Sequence, residues 1–562
     1  MTHTTTQAPA PADAGPGAWS PGGVRIEVTE VSRAAGGRRV LDGVTLSVRP
    51  GQVVVIVGLS GAGKTTLLSL MAGFTTPSEG EVRHDGGPIA AGASVGYVPQ
   101  DDIVHRELPL ARTLAYAARL RLPVGTEIEP VVAKVLAELD LERCAGTRIG
   151  ALSGGERKRA SIGTELLTRP RAFFLDEPTS GLDPATAAEL MGTLRDLADG
   201  GATVVLTSHS PSDVRHCDTV IVLNAGRLAY AGPPEEVCAH FGVFSMEEVY
   251  LRLGGAVPDG DRTADAVPCT ERACDGRRPQ APPPAGRHPG VFRQWALLSR
   301  RNLDILRRNR LTLAILAGSP LMVLGMFALL FRPGAFDPAD PSPSATVQIL
   351  FWIAFGGFFF GLTYGLLQIC TELPVLRRER FVGLKAGPYV LAKVTVLLPL
   401  LLVVDAAMLA VLGALDRLPD GDAVMYAELF TTLVLSSAAA LALGLLVSAS
   451  VSDPSQAALA LPMACFPQVL FVGAILPVPL MATGGQVMSL ALSNRWAFEA
   501  LGHSAQVERL WAEGASPLGP PLLMSYGDSF ARPLVVDWAL LGLFTVGLLL
   551  ITRFTVARRS AA

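Results

Sequence analysis

The chain has 562 residues, 49% of them hydrophobic, and a formal net charge of −3 from 47 basic and 50 acidic side chains. Its mean hydropathy of +0.38 is too apolar for an ordinary soluble enzyme, and its length suits two or three domains. That apolarity puts part of the chain in lipid, and with basic and acidic groups nearly balanced there is no electrostatic footprint for nucleic acid.

In chain order, residues 1–23 carry no apolar stretch of the signal-peptide kind and read as a disordered tail. From Val24 to Leu253 short β-branched runs (VVVIVG, RAFFLDE, TVVLTSH, TVIVLN) alternate with helical stretches. That alternation predicts an α/β domain, a parallel sheet with crossover helices. Residues 254–290, rich in Pro, Gly and charge, read as a linker. They contain Cys269 and Cys274, the closest pair among seven cysteines that lack metal-ligand spacing and are read as reduced thiols.

After the linker, 291–310 mixes apolar and basic positions at helical spacing, as expected of a helix lying along a membrane surface. The remainder, 311–562, is predicted to be an all-α transmembrane domain. Apolar stretches at 311–331, 346–368, 390–415, 427–451, 456–477 and 534–552 give six expected spans, with Pro399, Pro462 and Pro467 able to kink the third and fifth. Arg300, Arg301, Arg307, Arg308 and Arg310 precede span one. Arg377, Arg378, Arg380, Lys385 and Lys393 are read as filling the loop between spans two and three, and Arg553, Arg558 and Arg559 follow span six. The excess of basic residues at these ends assigns them, both termini and the α/β domain to the cytoplasmic side of the cell membrane. The long outer loop is 478–533.

The chemistry begins at GLSGAGKT, Gly58 to Thr65, which fits G-x-x-x-x-G-K-[ST] between a strand and a helix. In that setting the backbone N–H groups of Gly58, Ser60, Gly61, Ala62, Gly63, Lys64, Thr65 and Thr66 can cradle phosphates. Lys64 is placed to meet the β- and γ-phosphates and Thr65 to offer a hydroxyl to Mg²⁺. RAFFLDEP sets Asp176 and Glu177 at the end of an apolar strand, the first to hold the ion through water, the second to polarise an attacking water. LSGGERKR, with Ser153, Gly154, Gly155 and Glu156 before a helix, forms a second anion-binding turn. One nucleotide has no need of two such turns from one chain, so each turn is expected to close over the nucleotide of another copy.

GLSGAGKT, PQ, LSGGE, FFLDEP, SGLD and TSH stand in the order and spacing of the ATP-binding-cassette superfamily, which the sequence resembles along nearly its whole length. The resemblance implies that ATP and Mg²⁺ are the cofactors. It makes Gln100 the Q-loop residue, a metal ligand with Thr65 and Asp176, and Ser153 to Glu156 the signature. It also makes Asp183 the D-loop aspartate and His209 the switch histidine, catalytic with Glu177 and Lys64. ATPase first and six spans second is similar to the G subfamily of half-transporters. GYVPQDDIVHREL, YAARLRLP and ELPVLRRERFVGL resemble actinobacterial exporters that carry a forkhead-associated domain. The tail before Val24 has no room for that domain, so regulation through phosphothreonine is not carried over. Two further departures are Glu156 where the family more often has glutamine, and the absence of an aromatic for adenine in VTEVSRAAGGRRVL.

What the resemblance implies is a homodimer, or a heterodimer with a partner chain, that uses ATP to export an apolar or amphipathic small molecule or lipid. A mechanotransmitting or regulatory membrane ATPase is the other function class. LFVGAILP stands where the family has an apolar outer gate, and LSNRWAFEALG resembles its short outer helices. Phe351, Phe355 and Phe359 share a helix face, either a substrate surface or one that meets lipid. Asp405 marks a polar contact, a proton site or a packing hydrogen bond. Glu372, Glu379 and Arg380 are the candidates for coupling the two domains. Glu372, near the helix end of span two, calls for a basic partner; the alternative is a surface ion pair with Arg377 or Arg378.

Overall fold

The computed structural model describes residues 22–89, 95–100, 103–254 and 289–560. The expected tail, almost all of the expected linker, and with them Cys269 and Cys274, lie outside the described residues. Cys144, Cys217, Cys238, Cys370 and Cys465 are unpaired thiols. The chain divides into two compact units, Met1–Pro289 and Gly290–Ala562.

The first unit holds two sheets. One has the order β2-β1-β4-β5, all antiparallel, from β1 (Ile26–Ala35), β2 (Arg38–Val48), β4 (Glu79–His84) and β5 (Gly87–Pro88). The other has the order β10-β9-β3-β8-β7-β6, from β3 (Val53–Gly58), β6 (Val95–Val98), β7 (Ala172–Leu175), β8 (Thr203–Thr207), β9 (Thr219–Asn224) and β10 (Arg227–Gly232). Strands β9, β3, β8, β7 and β6 pair in parallel, and only β10 runs against its neighbour. Strands β3, β7 and β8 are buried at every position, because both faces of a parallel sheet are covered. Alternation along β3 divides the core: Val53, Val55 and Val57 face one cluster, Val54 and Ile56 the other. The expected parallel sheet is present. The antiparallel one was not foreseen, for its outward faces break the apolar runs that mark the buried strands.

Four helices matter to the site: α1 (Lys64–Met71), α2 (Leu110–Arg121), α3 (Gly154–Leu166) and α4 (Pro184–Asp199). Arg121 of α2 is buried and donates through Nη2 to Glu165 Oε1 of α3 at 2.8 Å and through Nη1 to the Thr164 carbonyl at 2.6 Å. This buried pair holds α2 to α3.

The second unit is all-α, as predicted, built on α5 (Val291–Arg308), α6 (Arg310–Leu330), α7 (Pro343–Leu366), α8 (Leu373–Phe381), α9 (Ala386–Ala414), α10 (Ala423–Ser450), α11 (Pro454–Leu470), α12 (Ser493–Ser504) and α13 (Leu534–Arg559). Among the described residues four helical segments are long and apolar enough to cross a membrane: Pro343–Phe381, Ala386–Ala414, Ala423–Ser450 and Leu534–Arg559. The expectation of six is corrected on that criterion. The stretch expected at 311–331 falls in α6, where only Pro320–Leu330 qualifies, as a shorter apolar helix. The one expected at 456–477 ends early. Helix α11 spans 17 residues with Pro462 and Pro467 inside it, and the chain then turns irregular through Gly473, at φ 104°, so LFVGAILP continues no helix.

Helices α7 and α10 pack at backbone contact. A Cβ on Gly361 would lie 2.2 Å from the Ser437 carbonyl oxygen, and one on Gly365 2.7 Å from that of Leu441. With Gly357 these glycines form a row at every fourth position, a small-residue seam that lets two membrane helices meet closely. Phe351, Phe355 and Phe359 form a second row, their rings 5.9 and 6.1 Å apart. At about 100° per residue the two rows lie about 120° apart around α7, and Phe355 packs on a cluster that includes Ala440 of α10.

Helix α5 packs on α9. Trp295 Nε1 donates to Thr395 Oγ1 at 2.9 Å, and Gln294 bridges the Gly383 carbonyl (3.2 Å) and the Lys385 N–H (3.1 Å). Lys393, expected in a loop, lies instead inside α9 and is buried. The segment 478–533 is not merely a broken loop: α12 and its neighbours pack Phe498, Trp511, Tyr526 and Phe530 together. Buried Glu499 accepts from Arg495 Nε (2.9 Å) and Arg532 Nη1 (2.7 Å), whose guanidinium groups lie 4.7 and 4.9 Å from the Trp496 ring centre.

Candidate functional site

The carboxyl ends of β3, β6, β7 and β8 lie side by side, so the loops that follow them share one edge of the sheet, the usual place for a ligand in a parallel sheet. Gly58 to Gly63 join β3 to α1. Gly63 caps the helix at φ 98°, a left-handed conformation that disfavours other residues, and a Cβ there would lie 2.7 Å from Leu41 Cδ2. The loop so formed points backbone N–H groups at a helix N-terminus, which suits an anion. Lys64 is buried, and its Nζ reaches the carbonyls of Gly58 (2.9 Å) and Leu59 (3.1 Å). Burial lowers its pKa from the ordinary lysine value, while Glu177 and Asp176 pull the other way.

Asp176 follows β7. Its Oδ1 accepts from Thr65 Oγ1 at 3.0 Å and from Thr207 Oγ1 at 2.7 Å. Glu177, at φ 44°, has its N–H on Thr207 Oγ1 at 2.9 Å. Its carboxylate accepts from Gln100 Nε2 at 3.0 Å and meets His209 Nε2 at 2.5 Å. His209 Nδ1 is 3.5 Å from Lys64 Nζ. Lys64, Thr65, Gln100, Asp176, Glu177 and His209, picked from four separate stretches of sequence, therefore form one connected group. Thr65 Oγ1, the Gln100 amide and the Asp176 carboxylate supply the hard oxygen donors that Mg²⁺ takes, and the loop above them suits a polyphosphate. The residues fit both groups.

The signature residues stand apart. Among the described residues no hydrogen bond or ion pair joins Ser153, Gly154, Gly155, Glu156 or Asp183 to that group. Ser153 and Glu156 instead cap α3 reciprocally, Ser153 N–H to Glu156 Oε2 at 2.8 Å and Glu156 N–H to Ser153 Oγ at 3.3 Å. The bond from the Ser153 backbone, then that from Cys144, holds the Glu156 carboxyl below its usual pKa. Glutamate thus serves the cap as a glutamine would. Asp183 caps α4, accepting from Thr186 Oγ1 (2.6 Å) and from the N–H groups of Ala185 (3.1 Å) and Thr186 (3.0 Å); the Thr186 hydroxyl leads in lowering its pKa.

Three residues of the site escaped the sequence reading. Thr207 spaces Asp176 and Glu177. Asp213 is buried and accepts from Thr179 Oγ1 and Ser208 Oγ, both at 2.6 Å, so it ties the turn after Glu177 to the turn that bears His209. Lys158 of α3 is buried and donates to the carbonyls of Pro99 (3.1 Å) and Gln100 (2.8 Å). No spacing rule singles them out, since each acts on a partner distant in sequence.

In the second unit Glu372 reaches across to α9. Its Oε1 meets Lys393 Nζ at 2.8 Å and its Oε2 accepts from Tyr389 Oη at 3.0 Å, with Lys393 4% exposed. The basic partner is real and lies on α9. Glu379 is also buried, gripped by both Nη atoms of Arg301 on α5, Nη2 to Oε2 at 3.0 Å. Arg380 forms no ion pair among the described residues.

Comparison with known proteins gives two family profiles: one described as ABC transporter over residues 41–180, one as ABC-2 type transporter over 293–504. The ABC transporter ATP-binding/permease protein Rv1747 of Mycobacterium tuberculosis is 35% identical over 493 residues, 83% of this chain and 56% of that protein. ABC transporter G family member 22 of Arabidopsis thaliana is 43% identical over 218 residues, 36% of this chain and 29% of its own length. G family member 7 of the same plant is 28% identical over 515 residues, 83% and 70%. The chain thus spans about half the length of the mycobacterial relative and about a third of the first plant one.

Proposed function

The chain belongs to the ABC transporters, and from that premise we propose that it is an ATP-hydrolysing half-transporter. Two copies would form two composite sites and export an apolar or amphipathic small molecule or lipid. The observation that carries this reading is the division of the site: Lys64, Thr65, Gln100, Asp176, Glu177 and His209 gather in one group while the Ser153–Glu156 turn is bonded to none of them. A second copy would bring its turn to that group.

In the proposed mechanism the loop N–H groups and Lys64 would hold the β- and γ-phosphates, and Thr65, Gln100 and Asp176 would hold Mg²⁺. The ion supplies charge neutralisation at the phosphate oxygens. Glu177 orients the attacking water and takes its proton, and His209, 2.5 Å away, fixes the carboxylate for that role. Gln100 bonds Glu177 at 3.0 Å. Its amide oxygen, a neutral donor, would hold Mg²⁺ loosely enough to respond to the nucleotide. In the membrane domain the four long apolar helices are proposed to cross the membrane. The basic ends face the cytoplasm, α5 lies along the inner membrane surface, and the phenylalanine row lines the path. The buried Glu372–Lys393 and Arg301–Glu379 pairs, with Arg380, are proposed to transmit the ATPase stroke.

The test is reconstitution into liposomes with ATP and a panel of amphipathic compounds. Some compound should raise ATP hydrolysis and be carried across the membrane. ATP hydrolysis with no compound moved would replace export with the regulatory ATPase reading.

A further inference from the structure

Asp405 lies inside α9 at 0% exposure. Across from it Ser437 of α10 places its Oγ 3.1 Å from Asp405 Oδ1 and 3.1 Å from the carbonyl oxygen of Gly357 on α7. Asp405 Oδ2 has no hydrogen-bond partner, and no ion pair reaches the carboxyl group among the described residues. Lys393 is about 18 Å down the same helix at ~1.5 Å per residue and is engaged by Glu372. On the helices packed against α9, Tyr364 of α7 is within electrostatic reach. The other titratable groups, Tyr426 and Glu428 on α10, Asp537, Arg553, Arg558 and Arg559 on α13 and Arg310 on α6, stand toward the helix ends, and the charged groups of α5 belong to the helix that packs at the Lys385–Thr395 end of α9.

A hydroxyl has one proton to give, yet Ser437 stands at bonding distance from two acceptors. If Asp405 were ionised, one shared serine proton would be all the compensation for a full charge held away from water and from any cation, an arrangement proteins avoid. If Asp405 carries a proton, every contact has its own donor: the carboxyl O–H donates to Ser437 Oγ, and the Ser437 O–H donates to the Gly357 carbonyl. Only glycine allows this approach, because a Cβ at position 357 would sit 2.5 Å from Leu433 Cδ1 and 3.1 Å from Ser437 Oγ.

We propose that Asp405 is a proton-binding site of the membrane domain, holding its proton at neutral pH in a chain from α9 through Ser437 of α10 to the backbone of α7. When α9 parts from α10 and water enters, the carboxyl group gives that proton to water and becomes a hydrated carboxylate. When the helices close, it takes a proton back. This holds whatever the exported compound is, and does not depend on the assignment of the nucleotide site.

The test is infrared spectroscopy of the full chain in lipid nanodiscs at neutral pH. The parent minus Asp405→Asn difference spectrum should contain the C=O stretch of a protonated carboxyl group. In Ser437→Ala the same band should move to higher frequency, because the acid loses its acceptor. Carboxylate stretches alone in the first difference, or a band unmoved by Ser437→Ala, would overturn the proposal. Should Asp405→Asn not fold, the parent compared with Ser437→Ala still decides it. Thermal melting supplies a second readout: Asp405→Asn, whose amide can still donate to Ser437, should melt near the parent, and Asp405→Ala below it. Equal losses in both would also overturn the proposal.

Discussion

Glu177 is held from three directions, by Gln100, by His209 and by its own N–H on Thr207. Glu177→Gln keeps the shape and removes the base, so nucleotide binding should persist while hydrolysis falls by at least about 10²-fold. Lys64→Ala should cost as much by weakening phosphate binding, and the two differ in whether a labelled nucleotide stays bound. A parental rate in Glu177→Gln would remove that residue from the chemistry. His84 offers a pH test at the same scale. Its Nε2 is 2.8 Å from the Met71 carbonyl and must carry the proton there, while Nδ1 is buried without a partner. Burial holds its pKa below the usual 6.5. The folded protein therefore favours neutral His84, and its contribution to stability, intact above the unfolded pKa, is lost as pH falls through the lower folded value. Melting of the parent should weaken on acidification below about pH 6.5, and His84→Gln should flatten that dependence.

Among the elements, two seams bear most directly on stability. On α7 and α10 the glycine row leaves no room for a side chain, and Gly361→Val would drive its Cβ into the Ser437 backbone. It should destabilise the membrane domain by at least about 2 kcal/mol, seen as earlier melting in detergent. Between α2 and α3, Arg121→Ala would take from buried Glu165 the guanidinium it accepts from, a loss of about 3–5 kcal/mol. Arg121→Met with Glu165→Leu should recover much of it, and an equal loss in the double variant would mean the ion pair is not the cause. The glycine seam was legible in GGFFFGLTYG, but the aromatics beside it drew the reading toward a substrate face instead. Gly357, Gly361 and Gly365 carry the helix contact, and the phenylalanine row lies about 120° around α7 from it. Span length misled differently: composition gives an apolar stretch at 456–477, but the helix stops at Leu470 and the chain turns irregular through Gly473. Ion pairs such as Arg301–Glu379 join residues far apart in sequence, and no local pattern announces them.

For the whole molecule, the motifs from Gly58 to His209 were legible because each is local, a loop read with the strand beside it; what joins them, Thr207, Asp213 and Lys158, is visible only in the fold. The proposed dimer can be tested by complementation. Lys64→Ala spoils the phosphate loop and Gly154→Asp spoils the signature turn, so each variant alone should hydrolyse little ATP. Co-expressed, they should regain activity, since a mixed dimer keeps one site with an intact loop from one copy and an intact turn from the other. No recovery in mixed dimers isolated by two tags would mean that each chain completes its own site.

Lys158 sits on the signature helix and holds the backbone of Pro99 and Gln100. In the proposed dimer, whatever Gln100 registers in one nucleotide site is thereby passed to the turn that serves the other. Two sites yoked in this way cannot keep separate clocks: each would set the phase of its neighbour, and the transporter would take its ATP in paired beats.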